Sequence, residues 1–226
     1  MTQLLKRYPI TIFLLGLTGL IFIAMQVVYG HLATGAQAIY QVGGMFGLLV
    51  KAMPDQLWRL VTPIFIHIGF GHFFVNGLTL YFVGQIVEDL WGSRRFLLLY
   101  VLSGVMGNAF TFWLTPETVA AGASTSLFGL FAAIVVLSFL GKNHKNQALK
   151  DLGKSYQTLI VVNLLMNLFM PNVSMAGHIG GVVGGALLSI VFPTKMRVIT
   201  VKKTKRMLAL VSYGIILVGV LVLGFL

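Results

Sequence analysis

Apolar residues run through this chain in blocks too long for a soluble core. Seven such blocks lie near 11–29, 63–86, 96–114, 122–140, 156–170, 175–192 and 207–226. A helix needs about 20 apolar residues to cross roughly 30 Å of hydrocarbon, so the blocks predict seven transmembrane helices. The fifth block is short and borrows flanking residues such as Tyr156 to span. The first follows Lys6 and Arg7 in the manner of a signal peptide. Its apolar stretch is too long for one and no small-residue cleavage site follows, so it reads as a retained helix. The connection 30–62 carries Gly43, Gly44, Met45, Phe46, Leu48, Leu49 and Val50 with Trp58 and Arg59. That is too apolar for a solvated loop and predicts a partly inserted, interfacial structure. No internal repeat, linker or low-complexity segment interrupts the pattern. The fold class is an all-α polytopic membrane protein.

Composition agrees. Hydrophobic residues make up 58% of the chain and charged residues 9%, against about a quarter charged in a soluble domain. A second large soluble domain has no room. The net charge of +11 raises the question of nucleic acid, and the positions of the charges answer it. With the N-terminus in the cytoplasm, the inside segments hold Lys6, Arg7, Arg94, Arg95, Lys142, Lys145, Lys150, Lys154, Lys195, Arg197, Lys202, Lys203, Lys205 and Arg206, which is 14 of the 16 Lys and Arg residues. Only Lys51 and Arg59 fall outside. Such asymmetry is the positive-inside signature, with some attraction to anionic lipid, and not a nucleic-acid surface. The absence of cysteine excludes disulfides, thiol chemistry and thiolate metal sites.

Polar side chains in membrane helices are costly and face the bundle interior or a wet cavity. The second block carries His67, His72 and Asn76, the fourth Ser124 and Ser126, and the sixth His178. These three helices run the same way, from outside to inside. Ser124 and His178 stand near the starts of theirs, so both are expected near the external face at similar depth. His72 and Asn76, four apart, share one helix face. Gly177, Gly181 and Gly185 repeat every four residues, as do Gly180 and Gly184, a doubled ridge that lets helices approach closely. His178 shares a face with Gly181 and Gly185, so it points at a neighbouring helix. Phe128 shares a face with Ser124 and is placed to pack on the imidazole, while Ser126 points about 200° away from Ser124. Taken singly, the serine can bond back to a carbonyl, the histidine can join two helices and the glycines need only pack. Their joint placement suits a nucleophile and its base. The chain has no His-Glu-x-x-His, and Asp55, Glu88, Asp89, Glu117 and Asp151 all lie in loops or at helix ends. Paired intramembrane aspartates and a carboxylate proton relay are thereby excluded. With no acid to orient the histidine, a dyad is expected rather than a triad. No cofactor or metal is implied.

These residues resemble the rhomboid family of intramembrane serine proteases. The resemblance covers about residues 54–192. It runs through Trp58-Arg59, His67-x4-His72-x3-Asn76, Glu88…Gly92-Ser93-Arg94-Arg95-Phe96, Gly122-Ala123-Ser124…Phe128-Gly129 and Gly177-His178-Ile179-Gly180-Gly181. It implies a rhomboid-like bundle of six core helices plus one. Its parts are a cytoplasmic N-terminus at 1–10, the six-helix catalytic core at 11–192, a basic cytoplasmic loop at 193–206 and an extra C-terminal transmembrane helix at 207–226. It implies Ser124 as nucleophile and His178 as general base. It places His72 and Asn76, with backbone N–H near Ser124, around the oxyanion. It puts Phe128 on the histidine and Gly122, Gly181 and Gly185 in the packing of the site. The connection 30–62 matches the family's membrane-lying first loop, and 171–175 its capping loop. One departure stands out. Thr125 follows the nucleophile where the family usually has glycine or another small residue, and its bulk is expected to narrow the pocket without removing catalysis.

The expected activity is hydrolysis of a peptide bond in or near the transmembrane segment of a membrane-protein substrate. Backbone groups in a membrane helix are already paired, so helix-weakening residues in the substrate ease its unwinding. The partners implied are transmembrane protein substrates and membrane lipid, with no nucleic acid, and no oligomeric state follows from the sequence. The expected home is the cell membrane, multi-pass, with the site opening toward the extracytoplasmic face. The competing reading is a non-catalytic rhomboid-like protein that binds transmembrane clients. Such members lack the serine, the histidine or both, whereas this chain keeps both.

Overall fold

The computed structural model describes residues 2–141, 146–170, 173–195 and 199–226. Lys142, Lys145 and Arg197 of the basic set, and positions 171–172 of the expected capping loop, lie outside the described residues. The long helices are α2 (Pro9–Tyr29), α5 (Gly69–Trp91), α6 (Ser93–Leu114), α7 (Ser124–Leu140), α8 (Gln147–Asn167), α9 (Met175–Val191) and α10 (Lys203–Phe225). Short helices α1 (Thr2–Arg7), α3 (Ala36–Gln41) and α4 (Gly47–Ala52) lie before α5.

Helices α6, α7 and α9 form the centre, and the glycine ridges of α9 explain how. A Cβ on Gly181 or Gly185 would fall on the backbone of Thr125 or Gly129 in α7. A Cβ on Gly180 or Gly184 would fall on Phe110 or Met106 in α6. The two ridges thus serve two neighbours, one each. Helix α10 packs outside α6 and α9, and its Tyr213 hydroxyl donates to the Leu102 carbonyl at 3.0 Å. Helix α8 packs on α7, with Gly153 against Ser138. Helix α2 lies along α5, where Phe22 stacks on Phe73 with ring centroids 4.3 Å apart.

The start of α2 is held by a carboxylate from another helix. Glu88, 1% exposed, accepts the N–H groups of Ile10 and Thr11 at 3.1 and 2.9 Å and the Thr11 hydroxyl at 2.8 Å. It satisfies donors that a helix N-terminus leaves unpaired and suits the positive end of the helix dipole.

Two helix starts differ from those expected from apolarity. Helix α5 begins at Gly69 and not at 63. Residues Thr62–Phe65 form a 3-10 turn with Pro63 near its start. Gly69 then turns the chain at φ 77°. His67 therefore precedes the helix, and His72 sits in its first turn. Helix α8 begins at Gln147, well before 156, because its first turns are helical but polar. Asn146 caps it by accepting the Leu149 N–H at 3.0 Å. Among the described residues, four stretches have the length and apolarity of membrane spans: Pro9–Thr34, α5, α6 and α10. Helices α7 and α9 are apolar but only 17 residues long.

The connection 30–62 folds tightly. Arg59, 5% exposed, donates from Nη1 to the carbonyls of Tyr40 and Gly44 at 2.7 and 2.8 Å. Met45 and Val50 are fully buried. A two-residue strand β1 (Met45–Phe46) pairs antiparallel with β2 (Val119–Ala120), Met45 opposite Ala120. This small ladder ties the connection to the segment that leads into Ser124.

Candidate active site

Ser124 is the first residue of α7, so its own N–H belongs to the unpaired donors at a helix start. The approach to it is fixed by backbone contacts. The Gly122 N–H donates to the Pro63 carbonyl at 2.9 Å. The Ala123 N–H donates to His67 Nε2 at 3.3 Å. Gly122 has φ 136°, and a Cβ there would stand 2.7 Å from His72 Cε1.

His178 lies in the first turn of α9. Ser174 opens that helix by accepting the Gly177 N–H at 3.0 Å, and its hydroxyl meets that of Thr111 at 2.9 Å. His178 Nε2 stands 2.8 Å from Ser124 Oγ. Its ring lies flat against Phe128, with centroids 4.1 Å apart and planes 12° from parallel. The opposite ring nitrogen, Nδ1, is hydrogen-bonded to the side-chain amide of Asn167, the last residue of α8. Three helices therefore fix this one imidazole.

A cavity of about 440 Å³ opens beside the pair, lined among others by Gly71, His72, Asn108, Gly122, Ser124, Thr125, Met170, Val173 and His178. His72 Nδ1 accepts the Ile68 N–H at 3.3 Å, which turns the rest of its ring toward Gly122. Asn76 sits behind the cavity wall. Its amide donates to the His72 carbonyl at 2.9 Å, and it borders a small space beside His67. Ser126 points away from the cavity toward Gly104 in α6. Thr125 is seated between Gly107 of α6 and Gly177 of α9, so glycines on two neighbours house its extra bulk.

The Rhomboid domain family model matches residues 54–195. The chain belongs to the rhomboid family. This rhomboid is 33% identical to Rhomboid protease GluP of Bacillus subtilis (strain 168) over 171 residues, which are 73% of this chain and 32% of GluP. It therefore spans about a third of GluP's length. YdcA from the same strain is 30% identical over 197 residues, 82% of this chain and 89% of YdcA. Inactive RHOMBOID-like protein 8 of Arabidopsis thaliana is 34% identical over 141 residues, 61% of this chain and 39% of that protein. Family and apolar helices together make this rhomboid a multi-pass membrane protein.

The site also contains residues that apolar blocks and helix faces did not single out. Asn108 and Asn167 are polar residues within apolar blocks and so carry the same signal that singles out His72 and His178. What each one meets depends on a neighbouring helix. His67 does stand out in the sequence, but its contact with Ala123 requires the non-helical path of residues 66–68.

Proposed function

We propose that this rhomboid is an intramembrane serine endopeptidase. The observation that carries the proposal is the 2.8 Å approach of Ser124 Oγ to His178 Nε2 beside an open cavity. In this mechanism His178 takes the serine proton as Oγ attacks the scissile carbonyl, and then returns it to the leaving amine. The resulting acyl-enzyme is hydrolysed by water entering through the cavity. The negative charge on the carbonyl oxygen meets the Ser124 N–H at the start of α7 and the His72 side chain. Asn76 joins only by turning its amide from the His72 carbonyl. Losing one such donor costs about 2.7–4 kcal/mol of transition-state stabilisation. The N-terminus lies in the cytoplasm and the cavity opens to the opposite side, where membrane-protein substrates present a strand unwound near their membrane boundary.

The test is proteolysis in liposomes of a single-span substrate carrying helix-weakening residues, followed by mass spectrometry. The native chain is expected to cut it, and Ser124→Ala and His178→Ala are each expected to abolish cutting. Cutting that survives Ser124→Ala would refute the assignment of the nucleophile. A native chain that cuts none of several substrates would favour client binding without catalysis.

A further inference from the structure

A neutral imidazole carries one N–H, and its position decides whether the ring can act as a base toward a given partner. Nε2 faces Ser124 Oγ. To take the serine proton, Nε2 must present a lone pair, which puts the ring proton on Nδ1. That N–H is buried with the ring, which is 5% exposed, and a buried donor needs an acceptor. Among the described residues the group hydrogen-bonded to Nδ1 is the Asn167 amide, which the structure writes with its nitrogen, Nδ2, toward the ring. Its oxygen and nitrogen exchange places by a half-turn of the amide, and the hydrogen-bond network decides between them. With the nitrogen inward, the ring proton would be on Nε2 and Ser124 would have no base. With the oxygen inward, both ring nitrogens are satisfied in the form that a base requires.

We propose that Asn167 is a positioning residue for His178, its side-chain oxygen accepting from Nδ1–H and so keeping Nε2 free toward Ser124. This inference rests on the reading of Ser124 and His178 as nucleophile and base. The role differs from that of Phe128, which sets the plane of the ring but does not distinguish its two nitrogens. A neutral acceptor also suits the place. Three of the five carboxylates are engaged or placed elsewhere: Glu88 and Asp89 contact the start of the first long helix, and Asp151 lies near the far end of α8. The proposed site is thus a serine and a histidine with an orienting asparagine supplied by a third helix.

Two measurements on the full chain in liposomes test this. The first is a 15N spectrum of the histidine side chains at alkaline pH, with His178 assigned by its loss in His178→Ala. The native chain is expected to carry the proton on Nδ1, and Asn167→Ala to show a mixture. A native ring protonated on Nε2 overturns the proposal, whether or not any variant folds. The second is kinetics for Asn167→Ala and Asn167→Asp, with inactivation by a fluorophosphonate reporting on Ser124 directly. Losing one hydrogen bond to a group that becomes charged should lower kcat roughly tenfold to a hundredfold in Asn167→Ala. KM should hold and inactivation should slow by the same factor. Aspartate, an acceptor that cannot donate, should restore most of the rate. Full activity in Asn167→Ala, or aspartate no better than alanine, overturns the proposal. A native chain that neither cuts substrate nor reacts with the fluorophosphonate brings down the protease reading itself, a distinct result.

Discussion

Gly122 shows how much of the site rests on a missing atom. Its φ of 136° lies where side chains are strained, and the His72 ring occupies the space of a Cβ. Gly122→Ala is expected to cost about 1–3 kcal/mol in backbone strain and to push His72 off the cavity wall. Displacements of about 1 Å can cost a hundredfold in rate, so kcat/KM should fall far more than the thermal midpoint does. Equal rates for Gly122→Ala and the native chain would contradict the placement of His72 at the reacting carbonyl. Ser124, Phe128 and His178 were legible because helix periodicity alone puts the first two on one face and aims the third at a neighbour. Asn167 was not, because a polar residue at a helix end has no visible partner until the helices are docked.

At the scale of elements, the glycines of α9 decide the architecture. The sequence shows the doubled ridge plainly, but not that Gly181 and Gly185 face α7 while Gly180 and Gly184 face α6. Gly185→Leu should drive α9 from α7, cost about 1–3 kcal/mol or more through overpacking, and carry His178 away from Ser124. Ile179→Ala, at an outward position 42% exposed, serves as the control and should leave the melting midpoint nearly unchanged. The measurement is thermal unfolding in detergent alongside proteolysis. A Gly185→Leu midpoint equal to that of the control would mean that the two helices are not in backbone contact. The starts of α5 and α8 were misplaced by the apolar pattern for opposite reasons. The apolar segment after Pro63 is a short 3-10 turn and an irregular stretch and not α-helix, and the polar segment after Asn146 is α-helix.

At the scale of the whole molecule, the proposed topology puts 14 of the 16 Lys and Arg residues on the cytoplasmic side and Ser124 and His178 on the other. The absence of cysteine makes orientation directly measurable. Glu117→Cys, near the cavity end, should react with an impermeant maleimide in intact cells. Asp151→Cys, in the first turns of α8, should react only after permeabilisation. The reverse pattern would invert the proposed topology and place the cavity on the cytoplasmic side.

The sequence by itself determined the membrane class, the run of helices and the residues with reactive groups, because apolarity and periodicity act within one segment. Tertiary structure decided which atoms meet. It set the 2.8 Å approach of Ser124 to His178, the seat for Thr125 between two glycines and the amide of Asn167 turned to the imidazole. Each of these depends on the rotation and depth of one helix against another. Close packing of small residues sets that relation, and no single segment carries it.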